Sequence, residues 1–232
     1  MADIARPVEV EILLWRLDRP VEETAQLRTL LSVEERGRAD RFIRTIDRDR
    51  WTVARAGLRS GLAPAMGVAP EAIVFGREVN ARPTVVNGGA LSFNLSHSAD
   101  VAALALSFDA RVGVDVEEIR PIEQDEVDWA LSPPERVELS RVETPLRLET
   151  FFRFWTLKEA FMKGTGLGAA LPLHDFDIGL AAPGLLRLRD APSEPGRWKF
   201  AENSPRPGIR GAVSALTEER PLSAVWRWVE PR

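Results

Sequence analysis

The chain has 232 residues, of which 44% are hydrophobic and 28% charged, a composition that suits one large or two small globular domains, each able to bury a core. Its formal net charge of −4 argues against wholesale nucleic-acid binding. Cysteine is absent, which excludes disulfides and thiolate zinc sites, and no run reaches the ~20 apolar residues of a membrane span.

Acids interrupt the apolar positions of residues 1–17, so no signal-peptide core is present and a soluble, cytoplasmic protein is expected. Asn94-Leu95-Ser96 matches a glycosylation sequon, which without a secretory signal is a coincidence. Val8, Val10, Ile12 and Leu14 alternate with Glu9, Glu11 and Leu13, predicting an opening strand. Ser32 reads as an N-cap, with Glu34 and Glu35 in the first helical turn. Residues 34–60 read as mostly helical, broken near 45–47. This stretch is rich in arginine, and Arg41, Arg44 and Arg48 share one side, an arrangement suited to anions as well as to a solvated face. Glycine and proline at 61–70 end the region. Residues 73–75 and 82–86 read as short strands, and Asn87-Gly88-Gly89 as a turn.

Ser96, His97 and Ser98 come just before an apolar run at 101–108, taken as a strand. No cysteine or second histidine joins His97 to make a zinc site, and no nucleophile elbow surrounds the serines. Val112, Val114 and Val116 then alternate with Gly113, Asp115 and Glu117. Period two buries the valines and puts both acids on the opposite face, about 6–7 Å apart at the backbone. Two carboxylates without a soft ligand favour Mg²⁺, unless this is merely a strand end wetted by solvent.

Ser132-Pro133-Pro134-Glu135 reads as a helix start. The main helix follows at 154–168. Trp155, Glu159 and Lys163 fall on one face, Phe154, Leu157 and Phe161 on an apolar one, and Gly164, Gly166 and Gly168 form the exit. Glu159 and Lys163 by themselves can be an intrahelical ion pair. Short strands are expected at 175–180, 185–188, 197–201, 211–216 and 223–228, with hairpin loops at 181–184 and 191–196. Trp198, Trp226 and Trp228 are expected in the core or an interface.

Leu31-Ser32-Val33-Glu34-Glu35-Arg36 is echoed by Leu131-Ser132-Pro133-Pro134-Glu135-Arg136, and Trp51-Thr52-Val53-Ala54-Arg55-Ala56 by Trp155-Thr156-Leu157-Lys158-Glu159-Ala160. The echo predicts an α+β fold of two similar halves, residues 1–110 and 111–232, packed as a pseudo-dimer. Arg55 stands where the second copy has Glu159, so the acids belong to the second half and the arginines to the first.

Gly113-Val114-Asp115-Val116-Glu117 followed by Trp155-x-x-Lys158-Glu159-Ala160-x-x-Lys163 resembles the paired signature of the 4′-phosphopantetheinyl transferases, and in particular the monomeric, pseudo-dimeric subgroup. Ser96-His97-Ser98 matches a third element. The resemblance spans most of the chain and implies transfer of phosphopantetheine from coenzyme A to a serine of an apo acyl or peptidyl carrier protein, with 3′,5′-ADP released. It implies Mg²⁺ held by Asp115, Glu117 and Glu159, with Lys163 on phosphate. Arg50 and His97 match contacts to the coenzyme's 3′-phosphate, Arg38 a further phosphate contact, and Arg82, Pro83 and Ser96 the adenine-side loop. Glu135 matches an acid near the site. Two departures fall on the nucleotide side, Glu35 where relatives are often basic and Ala81 where they often carry glycine.

The residues themselves support the same chemistry. Attack on a diphosphate needs its charge neutralised, which Mg²⁺ and Lys163 would do. It also needs a proton removed from the serine, by Glu159, by Glu117 or by a water held at the ion. Glu159 is favoured. Lys158 is expected to contact the coenzyme or to orient the site through an ion pair. Carrier docking is expected on the arginine-rich first helix and on residues 119–147. Rival readings are a Mg²⁺-dependent phosphohydrolase and a non-catalytic module that binds coenzyme A or a carrier.

Overall fold

The opening strand, β1, runs Val8–Arg16. Its even residues Val8, Val10, Ile12 and Leu14 and its odd residues Leu13 and Trp15 are both buried, because apolar layers cover both faces. The computed structural model describes residues 6–77, 83–188 and 195–232. After β1 come helices α1 (Val21–Arg28), α2 (Val33–Ala39) and α3 (Thr45–Met66). A hairpin of β2 (Phe75–Arg77) and β3 (Pro83–Val85) follows, then β4 (Ser92–Ser98) and β5 (Val101–Ser107).

The same order then repeats. β6 (Val112–Glu118) leads to α4 (Gln124–Ala130), α5 (Pro133–Ser140) and α6 (Thr144–Thr165). The hairpin is β7 (Phe176–Gly179) and β8 (Gly184–Leu188), followed by β9 (Trp198–Arg206) and β10 (Ile209–Leu216). β1-β5-β4 in one sheet matches β6-β10-β9 in the other. The fold is therefore α+β with two similar halves. A final strand, β11 (Leu222–Trp228), crosses back to pair in parallel with β1, completing the order β11-β1-β5-β4.

Each sheet packs one face on its own long helix. Trp15, Leu58, Leu62 and Leu104 form the first core, and Phe154, Leu157, Phe161 and Trp198 the second. The other faces meet each other through Val10, Ile12, Val112, Val114, Val116 and Val213. The alternation of valines with acids is thus observed as expected.

Several local expectations are corrected. The helical stretch breaks at residues 40–44, not 45–47, so Arg41 and Arg44 lie between helices and share no helical side with Arg48. α3 continues past Gly61 and Pro64 to an αL cap at Gly67 (φ 65°). Gly61 is inside it because a Cβ there would come 2.6 Å from Leu104 Cδ2. Ser96, His97 and Ser98 come just before a strand, β5, as expected, but themselves end another, β4. α6 begins ten residues before Phe154. α1 carried no sequence signal that was read as a helix. Trp198 is buried, whereas Trp228 is 44% exposed and so is not a core residue. Ala81, Arg82 and residues 191–194 lie outside the described residues.

Candidate active site

The site forms where β6 passes under α6. Gly113 makes the approach possible: a Cβ there would sit 2.1 Å from Ala160 O and 2.2 Å from Gly164 N, so strand and helix touch backbone to backbone. Asp115 and Glu117 follow on the same face by the two-residue period. Lys163, near the end of α6, reaches across with Nζ 2.6 Å from Asp115 Oδ1 and 2.9 Å from Ser96 Oγ. It pairs with the strand, not with Glu159 one turn away. Ser96 Oγ donates to Asp115 Oδ1 at 2.8 Å, and Ser98 Oγ donates to Glu117 Oε2 at 2.7 Å.

Three carboxylates share this one ammonium. Burial pushes the Asp115 carboxyl above its usual range, with Lys163 and Ser96 opposing. Burial and then the Asp115 charge raise Glu117 to about 7. Burial and the same charge raise Glu159. Burial alone would lower Lys163, but the Asp115 carboxylate outweighs it and holds the ammonium protonated above its ordinary value. Glu159 receives no hydrogen bond among the described residues.

The donor set fits a hard divalent cation. Asp115 is 1% exposed, and its Oδ2 is buried with no hydrogen-bond partner among the described residues, an orphan that a cation would satisfy. Among the described residues no three His, Cys, Asp or Glu side chains are gathered into a self-sufficient metal cage. Mg²⁺ needs none, since it is commonly held by one or two carboxylates with water and substrate phosphates completing its shell.

Beside this cluster opens a cleft of about 740 Å³, lined by Arg38, Arg41, Arg55, Arg59, Trp51, Phe75, Pro83 and His97. Arg38 lies 5.6 Å from the Trp51 ring centroid and Arg55 3.8 Å from that of Phe75, so cations and flat apolar surfaces alternate along the wall. His97 faces the cleft; desolvation and the nearby Lys163 charge hold its pKa below the ordinary value. Arg50 is not in the lining. Asp18 holds it in a two-point pair at 2.6 and 2.9 Å.

Lys158 is corrected as a coenzyme contact. It is fully buried, with Nζ donating to Glu135 Oε1 at 2.9 Å, to Glu135 Oε2 at 2.6 Å and to the Phe176 carbonyl at 2.8 Å. Glu135 is equally committed. It caps α5 by accepting the Ser132 N–H and also accepts the Ile178 N–H, both at 2.8 Å. The first half repeats the device: Glu35 caps α2 through the Ser32 N–H and pairs with Arg55 and Arg59, and Arg59 goes on to the carbonyls of Pro70 and Ile73. Glu35 is thus a buried anchor for two cleft arginines. Sequence reasoning missed the cleft roles of Arg55, Arg59 and Phe75; the repeat, which aligns Glu35 with Glu135, was the available signal.

An arginine-lined cleft whose His97 feels the charge of the Lys163 ammonium in a carboxylate cluster is the equipment of an enzyme that works on phosphate esters. Residues 111–217 match the family described as the 4′-phosphopantetheinyl transferase superfamily, and residues 18–109 match the one described as 4′-phosphopantetheinyl transferase, N-terminal. The chain is 34% identical over 211 residues to the 4′-phosphopantetheinyl transferase HetI of Nostoc sp., covering 88% of this chain and 87% of that one. It is 32% identical to psf-1 of Bacillus pumilus (87% and 91% covered) and 26% identical to Sfp of Bacillus subtilis (88% and 92% covered), both named 4′-phosphopantetheinyl transferases. The chain belongs to the 4′-phosphopantetheinyl transferase superfamily and is a transferase of that class. None of its described helices is long and apolar enough to cross a membrane.

Proposed function

We propose that the protein moves the 4′-phosphopantetheine of coenzyme A onto a serine of an apo acyl or peptidyl carrier protein, with the site residues acting as follows. The serine oxygen bonds to the phosphorus that bears pantetheine, the diphosphate P–O bond breaks, and 3′,5′-ADP leaves. The observation that carries this reading is the Lys163–Ser96–Asp115 bridge, which stands beside the arginine-lined cleft. A diphosphate lying there would meet the Lys163 ammonium as negative charge builds on its oxygens.

Asp115, Glu117 and Glu159 would hold Mg²⁺, which supplies charge neutralisation at the diphosphate when bound. Glu159, whose pKa burial and the Asp115 charge raise and whose carboxylate no side chain hydrogen-bonds among the described residues, would take the serine proton on a carboxylate oxygen. Arg38 and His97 would receive the coenzyme's phosphate, Pro83 and Ser96 its nucleotide side, and Arg82 belongs to the same proposed contact. Arg50 reaches phosphate by exchanging Asp18 for it. Lys158 acts through Glu135 to fix α6. We further propose a division into halves at 110/111, with β11 crossing back, and a monomer working in the cytoplasm.

The test is to incubate the protein with Mg²⁺, coenzyme A and an apo carrier domain and to weigh the carrier. A gain of one phosphopantetheine with release of 3′,5′-ADP is expected. Nucleotide hydrolysis without carrier modification, or binding without either, would overturn the proposal.

A further inference from the structure

β6 is the outer strand of its sheet, so the N–H groups along its free edge have no strand beyond them. Side chains from the other half satisfy them. Every second residue of β4 accepts from every second residue of β6: Ser92 Oγ from Val112 at 3.2 Å, Asn94 Oδ1 from Val114 at 3.0 Å, Ser96 Oγ from Val116 at 3.5 Å and Ser98 Oγ from Glu118 at 3.1 Å. The halves are thus joined by a row of side-chain acceptors in place of backbone pairing. At two rungs of this seam the hydroxyl has a second task. Ser96 and Ser98 each donate to the acid that precedes the N–H they receive, Asp115 and Glu117.

A hydroxyl that accepts a backbone N–H has its own proton aimed elsewhere, and in Ser98 it is aimed at Glu117 Oε2. That fixes one carboxylate oxygen of Glu117 and leaves Oε1 without a protein donor among the described residues. We infer that Ser98 is a positioning residue for Glu117, holding its carboxylate in the orientation that receives the divalent cation, so that the cation site of the second half is set by a strand of the first. This rests on the proposed reading of Asp115, Glu117 and Glu159 as cation ligands. Asn94 makes the same seam contact, its Oδ1 accepting the Val114 N–H, and so separates loosening of the seam from loss of the anchor.

The experiment is a calorimetric titration of the metal-free full-length protein with Mn²⁺, without coenzyme A or carrier. Ser98→Ala is expected to weaken Mn²⁺ binding by about 10-fold or more, the usual effect of removing a partner that orients a ligand. Ser98→Thr, which keeps the hydroxyl, is expected to stay within about 3-fold of the parent. Asn94→Ala is expected to stay within about 2-fold while lowering Tm as Ser98→Ala does. Ser98→Cys keeps the volume but donates weakly, and serves as a second variant expected to shift binding in the same direction as alanine. Parent-like Mn²⁺ affinity in Ser98→Ala or Ser98→Cys, or equal weakening in Asn94→Ala, would overturn the inference alone. A parent protein that binds no Mn²⁺ would overturn the ligand assignment and the inference together.

Discussion

Lys158 and Glu135 form an ion pair inside the apolar core of the second half, with Nζ 2.6 Å from Oε2 and neither side chain more than 2% exposed. One residue further along α6, about 100° round the helix, Glu159 feels the charges of Asp115 and Lys163. The pair therefore fixes the rotation and height of the helix that carries both Glu159 and Lys163. Because every oxygen of Glu135 is taken by Lys158, Ser132 or Ile178, this acid orients the machinery without touching substrate.

Removing one partner strands a buried charge. Glu135→Gln or Lys158→Met is expected to lower unfolding stability by about 3–5 kcal/mol, and the apolar double replacement to recover much of it. Urea denaturation of the two singles and the double measures this. Additive losses in the double would show that the pair is not the unit described.

Asp115→Ala removes the orphaned Oδ2 and the partner of Lys163 together. Transfer is expected to fall by about 10²–10³-fold or more, while circular dichroism stays that of the parent. Carrier mass after incubation is the readout. Ordinary turnover in a folded Asp115→Ala protein would remove Asp115 from the chemistry.

Glu117 titrates near 7 in the metal-free protein because it is buried beside Asp115. Its raised pKa means that a proton competes with a cation from about pH 7 downward. Half-saturating Mg²⁺ is therefore expected to climb as pH falls below about 7, by at most about tenfold per unit for one proton, and to level off above it. Glu117→Gln should flatten this dependence and bind Mg²⁺ poorly throughout. A parent protein with no such slope between pH 6 and 8 (a range set by the ordinary span of this titration) would contradict the coupling.

Arg38 lines the cleft with the Trp51 ring beneath its guanidinium. A charge-assisted contact of this kind contributes about 1.5–3 kcal/mol. Arg38→Ala is thus expected to raise KM for coenzyme A roughly tenfold or more with little change in kcat, and Arg38→Lys to recover part of it. A fall in kcat at unchanged KM would move Arg38 from binding to chemistry.

Much of this was legible in residue order because the signals are local. The period of β6 placed its valines inward and its acids together, and Phe154, Leu157 and Phe161 marked the buried side of α6. Ser32 as an N-cap and Ser132-Pro133-Pro134-Glu135 marked their helix starts, where the structure adds capping boxes. What stayed hidden depends on distance along the chain. Lys163 chooses Asp115, 48 residues away, over Glu159 on its own helix, because β6 and α6 come into contact at Gly113. Lys158 reads as a coenzyme contact or as half of an ion pair without a named partner until Glu135 and the Phe176 carbonyl are found around it. The arginines at 41 and 44 read as helical because the turn at 40–44 holds neither proline nor glycine.

The parallel pairing of Leu222–Trp228 with the opening strand has a consequence for synthesis. As the chain emerges from the ribosome, the first sheet lacks its outermost member until Leu222–Trp228 has been made. A nascent chain stalled before residue 222 should present the bare edge of β1, a length of Glu9, Glu11 and Leu13 open to misplaced partners. Folding of the first half is then completed by a strand translated after the second half.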